Sequence, residues 1–217
     1  MLKTVLFSAA MLLPAMAFAA PAGVALTPNK AMTVYHGAPI RHTPSQWTAP
    51  RGKTKIFDTL GKPISYNGST GWTLSNAQSQ TGFQQWVAFA ITPKANATVT
   101  EIAEAIGYVT GTDSITIALM ADNNGSPGTV LAEKKVGNLE AFGSCCAVAV
   151  FKLKTGVPVT AGTTYWVGAI LPSKKQATTW DAWDLSTANT GNGTFAYYNG
   201  AWNVTSGSYA AFAVYGS

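Results

Sequence analysis

The residues best suited to molecular recognition in this chain are aromatic. Trp180, Trp183, Tyr197, Tyr198 and Trp202 crowd a stretch rich in Gly, Asn and Thr, with Asp181, Asp184 and Asn199 interleaved. Rings beside carboxylates and amides suit a pyranose, whose apolar face stacks on the ring while polar groups take its hydroxyls. Trp180, Asp181, Trp183, Asp184, Tyr197, Tyr198 and Trp202 are therefore the candidate ligand-binding residues. The competing reading puts the same rings in a hydrophobic core, the fate expected of Trp86 and Trp166. If exposed, the rings would form a patch large enough to need a partner.

Catalytic chemistry finds little support. The chain has two histidines, His36 and His42, both in a Pro-rich stretch, whereas a Ser-His-Asp triad needs a histidine held in a rigid site. Their spacing, with no cysteine nearby, is poor for a metal site. Glycoside hydrolysis needs two carboxylates flanking a cleft. Glu101, Glu104, Asp113, Asp122, Glu133, Glu140, Asp181 and Asp184 fall in no recognisable motif. Asp122-Asn123-Asn124-Gly125 is open to two readings, a calcium loop or a hairpin turn. Calcium wants six to eight oxygens, and Asn-Gly is a strong turn former, so the turn is preferred. The sequence thus predicts no enzyme, no metal and no cofactor.

Cys145 and Cys146 are the chain's two cysteines, and they are adjacent. In a regular strand their side chains would point to opposite faces. Either the segment is a turn closed by a vicinal disulfide, or it is a strand carrying two thiols. Gly143-Ser144 and an oxidising compartment favour the bridge, used structurally. A redox role would be expected to show Cys-x-x-Cys spacing.

That compartment is indicated by the first residues. A short positive start at Lys3, an apolar run from Thr4 to Phe18 and the small-residue site Ala17-Phe18-Ala19 read as a secretory signal peptide over residues 1–19, cleaved after Ala19. The expected location is extracellular, and no transmembrane segment is expected in the mature chain. Residues 20–54 read as an extended or disordered basic arm. Six of the eleven prolines lie between Pro21 and Pro63, and Lys30, Arg41, Arg51, Lys53, Lys55 and Lys62 face only Asp58. Such a stretch could touch anionic cell-surface polymers or simply be a solvated tail. Nucleic acid is not an expected partner.

From Lys55 to Ser217 short apolar runs alternate with Gly, Asn, Asp and Ser turns, the pattern of an all-β sandwich or barrel. Charged residues make up 11% of the chain against a usual ~25%, which suits a secreted β protein. Strands are expected over Gly71 to Leu74, Gln84 to Ile91, Thr98 to Val109, Ser114 to Met120, Ala147 to Leu153, Thr164 to Ile170, Thr194 to Tyr198 and Ala210 to Tyr215. Clean alternation puts Ile115, Ile117 and Leu119 on one face, and Val87, Phe89 and Ile91 on another. Thr98 to Val109 also matches helical spacing, and its β-branched ends favour strand.

Several segments in order carry a resemblance: Ala88-Phe89-Ala90-Ile91-Thr92-Pro93, Asp122 to Gly128, Thr160 to Val167, and Ala211 to Gly216 closing the chain. Over residues 55–217 the chain resembles bacterial secreted choice-of-anchor β-sandwich domains and related exported proteins that carry a Cys-Cys pair near Cys145-Cys146. The resemblance implies an antiparallel, jelly-roll-like sandwich at the cell surface or in the medium, with no established catalytic residues. The resulting expectation is a secreted, non-catalytic binding protein whose partner is a glycan or a cell-surface polymer. An extracellular structural or assembly protein is the alternative, ahead of a secreted hydrolase.

Overall fold

Alternation of side chains decides which face of each strand is buried, and the burial follows it. In the computed structural model, which describes residues 34–37 and 47–217, Ile115, Ile117 and Leu119 are fully buried on one side of their strand. Val87, Phe89 and Ile91 do the same on theirs. The strands are β1 Val34–His36, β2 Thr54–Asp58, β3 Tyr66–Ser75, β4 Trp86–Ile91, β5 Ala97–Glu104, β6 Ile106–Thr110 and β7 Ile115–Asp122. They continue with β8 Pro127–Val136, β9 Ala149–Val159, β10 Tyr165–Ile170, β11 Trp180–Ser186, β12 Asn192–Tyr198, β13 Trp202–Ser208 and β14 Phe212–Gly216. A single turn of 3-10 helix, Lys174–Gln176, is closed by a capping box from Ser173.

The strands form three sheets: β13-β12-β4-β10-β7-β8, β1-β3-β11-β6 and β2-β14-β5-β9. Every ladder between these strands is antiparallel. The expected antiparallel β-sandwich is what the chain forms. The six-stranded sheet makes one layer, and the two four-stranded sheets together face it across a shared core. Phe89 of the first layer meets Trp183 edge-on at 5.5 Å and Phe212 at 5.8 Å, while Trp72 packs on Phe195 at 4.5 Å. Each such large side chain contributes about 1.5–3 kcal/mol through burial alone.

The stretch from Thr98 to Val109 is strand, but it is not one strand. It breaks at Ala105, so that β5 pairs with β14 and β9, while β6 pairs with β11. Three backbone hydrogen bonds close this seam between the four-stranded sheets. Asp184 N–H donates to the Ala105 carbonyl, Ala105 N–H to Ala211, and Ala211 N–H to Asp184, all within 2.8–2.9 Å.

Residues 1–19, read from sequence as a signal peptide, lie outside the described residues, as do His42 and most of the stretch expected to be an arm. Two parts of residues 20–54 are described and are engaged with the sandwich. Val34–His36 pairs with β3 along Thr70 to Trp72, and the Trp47 ring lies 6.0 Å from that of Tyr215.

Candidate functional site

The candidate ligand residues divide between the core and the surface. Trp180, Asp181, Trp183 and Asp184 all sit on β11, a central strand of its sheet, and all four are buried. Trp183 faces the sandwich interior against Phe89 and Phe212, and its indole N–H donates to the Ala211 carbonyl at 3.1 Å. Trp180 faces the other way, beside Phe142 and Ala182. Tyr197 is half-buried and packs on the main core. Tyr198 and Trp202 are half-buried on the opposite, outward face of the six-stranded sheet.

On that outward face a third ring joins them. Register places Trp86 of β4 directly beside Tyr198, and Tyr198 beside Trp202. Trp86 and Tyr198 stack at 4.3 Å with their planes 13° apart, and Trp202 meets Tyr198 at 5.3 Å, edge-on. The three rings form a row across three neighbouring strands. The next row inward on the same face is small: Ala196, Ala88, Gly168 and Ala118 stand side by side, all buried. Trp166 and Met120 wall its far side and are buried as well.

The row is held from beneath. Asn76 accepts from the Trp86 indole at 3.0 Å and from the Gln84 amide at 3.1 Å through one oxygen. Its own amide donates to the carbonyls of Leu171 and Gln176. Trp86 therefore cannot turn without breaking a buried polar network. Beside it opens a groove of about 310 Å³ lined by Asn76, Gln78, Gln84, Ser173 and Lys174, which adds amide, hydroxyl and ammonium groups next to the rings. The sequence reading places Trp86 in the core, whereas its ring is half-buried and packs on the outward face as well as on the main core. The readable signal of its position was that both faces of its strand are mostly apolar, which fits two buried faces as well as one aromatic outer face.

The other chemistry-bearing residues are accounted for locally. Asp122 accepts from the Gly125 N–H at 2.8 Å through one oxygen and from the Trp166 indole at 2.8 Å through the other. Asn124 and Gly125 both have positive φ, as a two-residue hairpin turn between β7 and β8 requires. The loop is thus a turn whose carboxylate is already taken by donors. Cys145 and Cys146 are joined by a vicinal disulfide within the 137–148 loop, and the peptide bond between them is cis. That loop runs along the free edge of β6, where Phe142 N–H donates to the Tyr108 carbonyl and Tyr108 N–H donates to Glu140, both at 2.8 Å.

Three acids are buried with few partners. Neither carboxyl oxygen of Glu104 has a hydrogen bond, nor does one oxygen of Asp184, while the Asp181 carboxyl has the Val109 backbone as its favourable neighbour. Burial pushes the carboxyls of Glu104, Asp181 and Asp184 well above the usual range, with Asp113 adding to the shift at Asp181. They lie on β5 and β11, away from the aromatic row. Among the described residues no cluster of three or more His, Cys, Asp or Glu side chains is arranged to hold a metal ion. No helix among them is long and apolar enough to cross a membrane.

No protein-family model matches this chain. No curated protein matches it either.

Proposed function

We propose that the protein is a secreted, non-catalytic β-sandwich that binds carbohydrate through the outward face of its six-stranded sheet. The observation that supports this reading is the row Trp86–Tyr198–Trp202, in which Trp86 stacks on Tyr198 and Trp202 meets Tyr198 edge-on, beside a groove of amide and hydroxyl groups. A row of this kind offers half-exposed apolar ring surface across three neighbouring strands, and the groove offers donors and acceptors at its edge, the pairing a sugar chain needs. Its location outside the cytoplasm, and the likeness to choice-of-anchor domains, rest on the sequence and belong to the same proposal.

Screening the chain from Ala20 onward on a glycan array tests it. Binding to at least one glycan class is expected, with tryptophan fluorescence quenched on titration and binding lost in Trp202→Ala. An array without hits, or hits that Trp86→Ala and Trp202→Ala leave intact, overturns the reading.

A second reading, an assembly or matrix protein, draws on the two edges of the same sheet. β8 exposes Val130 and Leu131, and β13 exposes Val204. Exposed apolar residues on an edge strand invite pairing with another chain, although Glu133, Lys134 and Lys135 blunt β8. Concentration-dependent association abolished by Leu131→Lys would favour this reading over glycan binding.

A further inference from the structure

A second cavity, at the opposite edge of the sandwich, has its own chemistry. It is a half-open cavity of about 350 Å³ where β8, β9 and the start of β6 converge under the 137–148 loop. Trp47, Ile106, Leu139, Glu140, Cys145 and Cys146 contribute to its lining. The walls are mostly apolar, and among the described lining residues Glu140 is the one charged side chain. In a chain with net charge +5 and nine acids in all, that placement is notable. The contrast is sharper next door, since the groove on the other side of Trp47 carries Arg51 and Lys152 as well as Glu101.

The cavity is built by parts that cannot easily move. Tyr66 Oη donates toward the Ala147 carbonyl at 2.8 Å, with that of Ser144 at 3.3 Å, so it clamps the backbone on both sides of the disulfide. Gly68 lets a backbone approach that a side chain would crowd, since a Cβ there would sit 3.3 Å from the Ser144 oxygen. A Cβ on Gly107 would lie 2.7 Å from the Phe142 Cα. The loop is therefore pinned onto β3 and β6 at two points, and the disulfide fixes the chain between them.

From this geometry we propose that the cavity binds a small organic cation, an amine or quaternary ammonium, between the Trp47 indole, the disulfide and the Glu140 carboxylate. An indole face attracts a cation through its quadrupole, and an apolar wall with a single carboxylate favours a weakly hydrated cation over an anion or a neutral polyol. The polarisable sulfurs add contact area without competing hydrogen bonds. The volume admits a choline-sized ligand and falls at the small end of ligand pockets in general. This site is independent of the glycan platform, which lies on β4, β12 and β13.

The test is an NMR titration of the full chain with choline and, separately, with dimethylbutanol, its uncharged analogue of nearly the same shape. Choline should shift the amides of 139–148, and the neutral analogue should bind about tenfold more weakly, the order of one desolvated cation–π contact. Glu140→Gln, an exposed position, should keep its melting temperature and lose choline affinity by a similar factor. The proposal is overturned if choline leaves these amides unmoved, if the two probes bind equally, or if Glu140→Gln binds choline like the parent chain.

Discussion

At the scale of single residues, two tryptophans that look alike in sequence have opposite roles. Trp183 is fully buried among Phe89, Phe212 and the Ala211 carbonyl, so Trp183→Ala should cost roughly 3–5 kcal/mol of stability. Trp202 is half-buried against Tyr198, and Trp202→Ala should change the thermal melt far less while removing about 1–3 kcal/mol of glycan affinity. Thermal melts and binding curves on both variants check this, and equal destabilisation would place Trp202 in the core. Glu104 makes a different prediction. Its carboxyl titrates well above the ordinary range because it is buried, so the folded state holds its proton more tightly than the unfolded chain does. Stability is then full below the unfolded pKa of about 4.3 and falls as pH rises toward the folded value, by at most ~1.4 kcal/mol per pH unit for one group. Asp181 and Asp184 act in the same direction. Glu104→Gln should therefore raise the melting temperature at about pH 8 more than at about pH 5 and flatten the slope between them. A variant that melts lower than the parent at both values would mean that the Glu104 carboxyl is stabilising in a way its surroundings do not indicate.

At the scale of elements, the N-terminal stretch belongs in part to the sandwich. β1 adds an edge to the sheet of β3, and Trp47 packs on Tyr215. A chain starting at Thr54 should melt roughly 5–10 °C lower than one starting at Ala20, since a lost half-buried tryptophan and a short ladder come to a few kcal/mol. Unchanged melting would show that these contacts carry no net stability. The strands readable in advance were those with one pattern and one environment. β7 alternates Ile, Thr, Ile, Ala, Leu, and its Ile115, Ile117 and Leu119 face the core. β8 hid because it opens on a proline and carries Glu133, Lys134 and Lys135, the polarity of an edge strand, which looks like loop. β13, with its Asn, Thr, Ser and Gly, reads as turn for a similar reason. β11 was obscured by Asp181 and Asp184, since carboxylates signal a surface and these two are buried. The same residues made the candidate site half legible. Tyr198 and Trp202 do share a face, while their third partner, Trp86, comes from more than a hundred residues away through a strand pairing that composition cannot reveal.

At the scale of the whole molecule, the six-stranded sheet separates two candidate binding regions by its width. The aromatic row lies toward the β13 edge, and the disulfide-lined cavity lies under the β8 edge. Ligands at the two places should therefore bind additively, which a titration of a glycan in the presence of choline would show. The opposing layer is made of two sheets, yet one covalent segment, β5 running into β6 through Ala105, belongs to both. The triangle of hydrogen bonds among Ala105, Asp184 and Ala211 ties the same point to β11 and β14. The consequence is thermodynamic cooperativity. Neither four-stranded sheet can melt while the other keeps its strands, so no half-unfolded species should accumulate and calorimetry should record a single transition. Amide hydrogens at Ala105, Asp184 and Ala211 should exchange only through global opening and so report the full unfolding free energy, whereas two resolved transitions, or early exchange at these three, would mean that the seam is a hinge and not a lock.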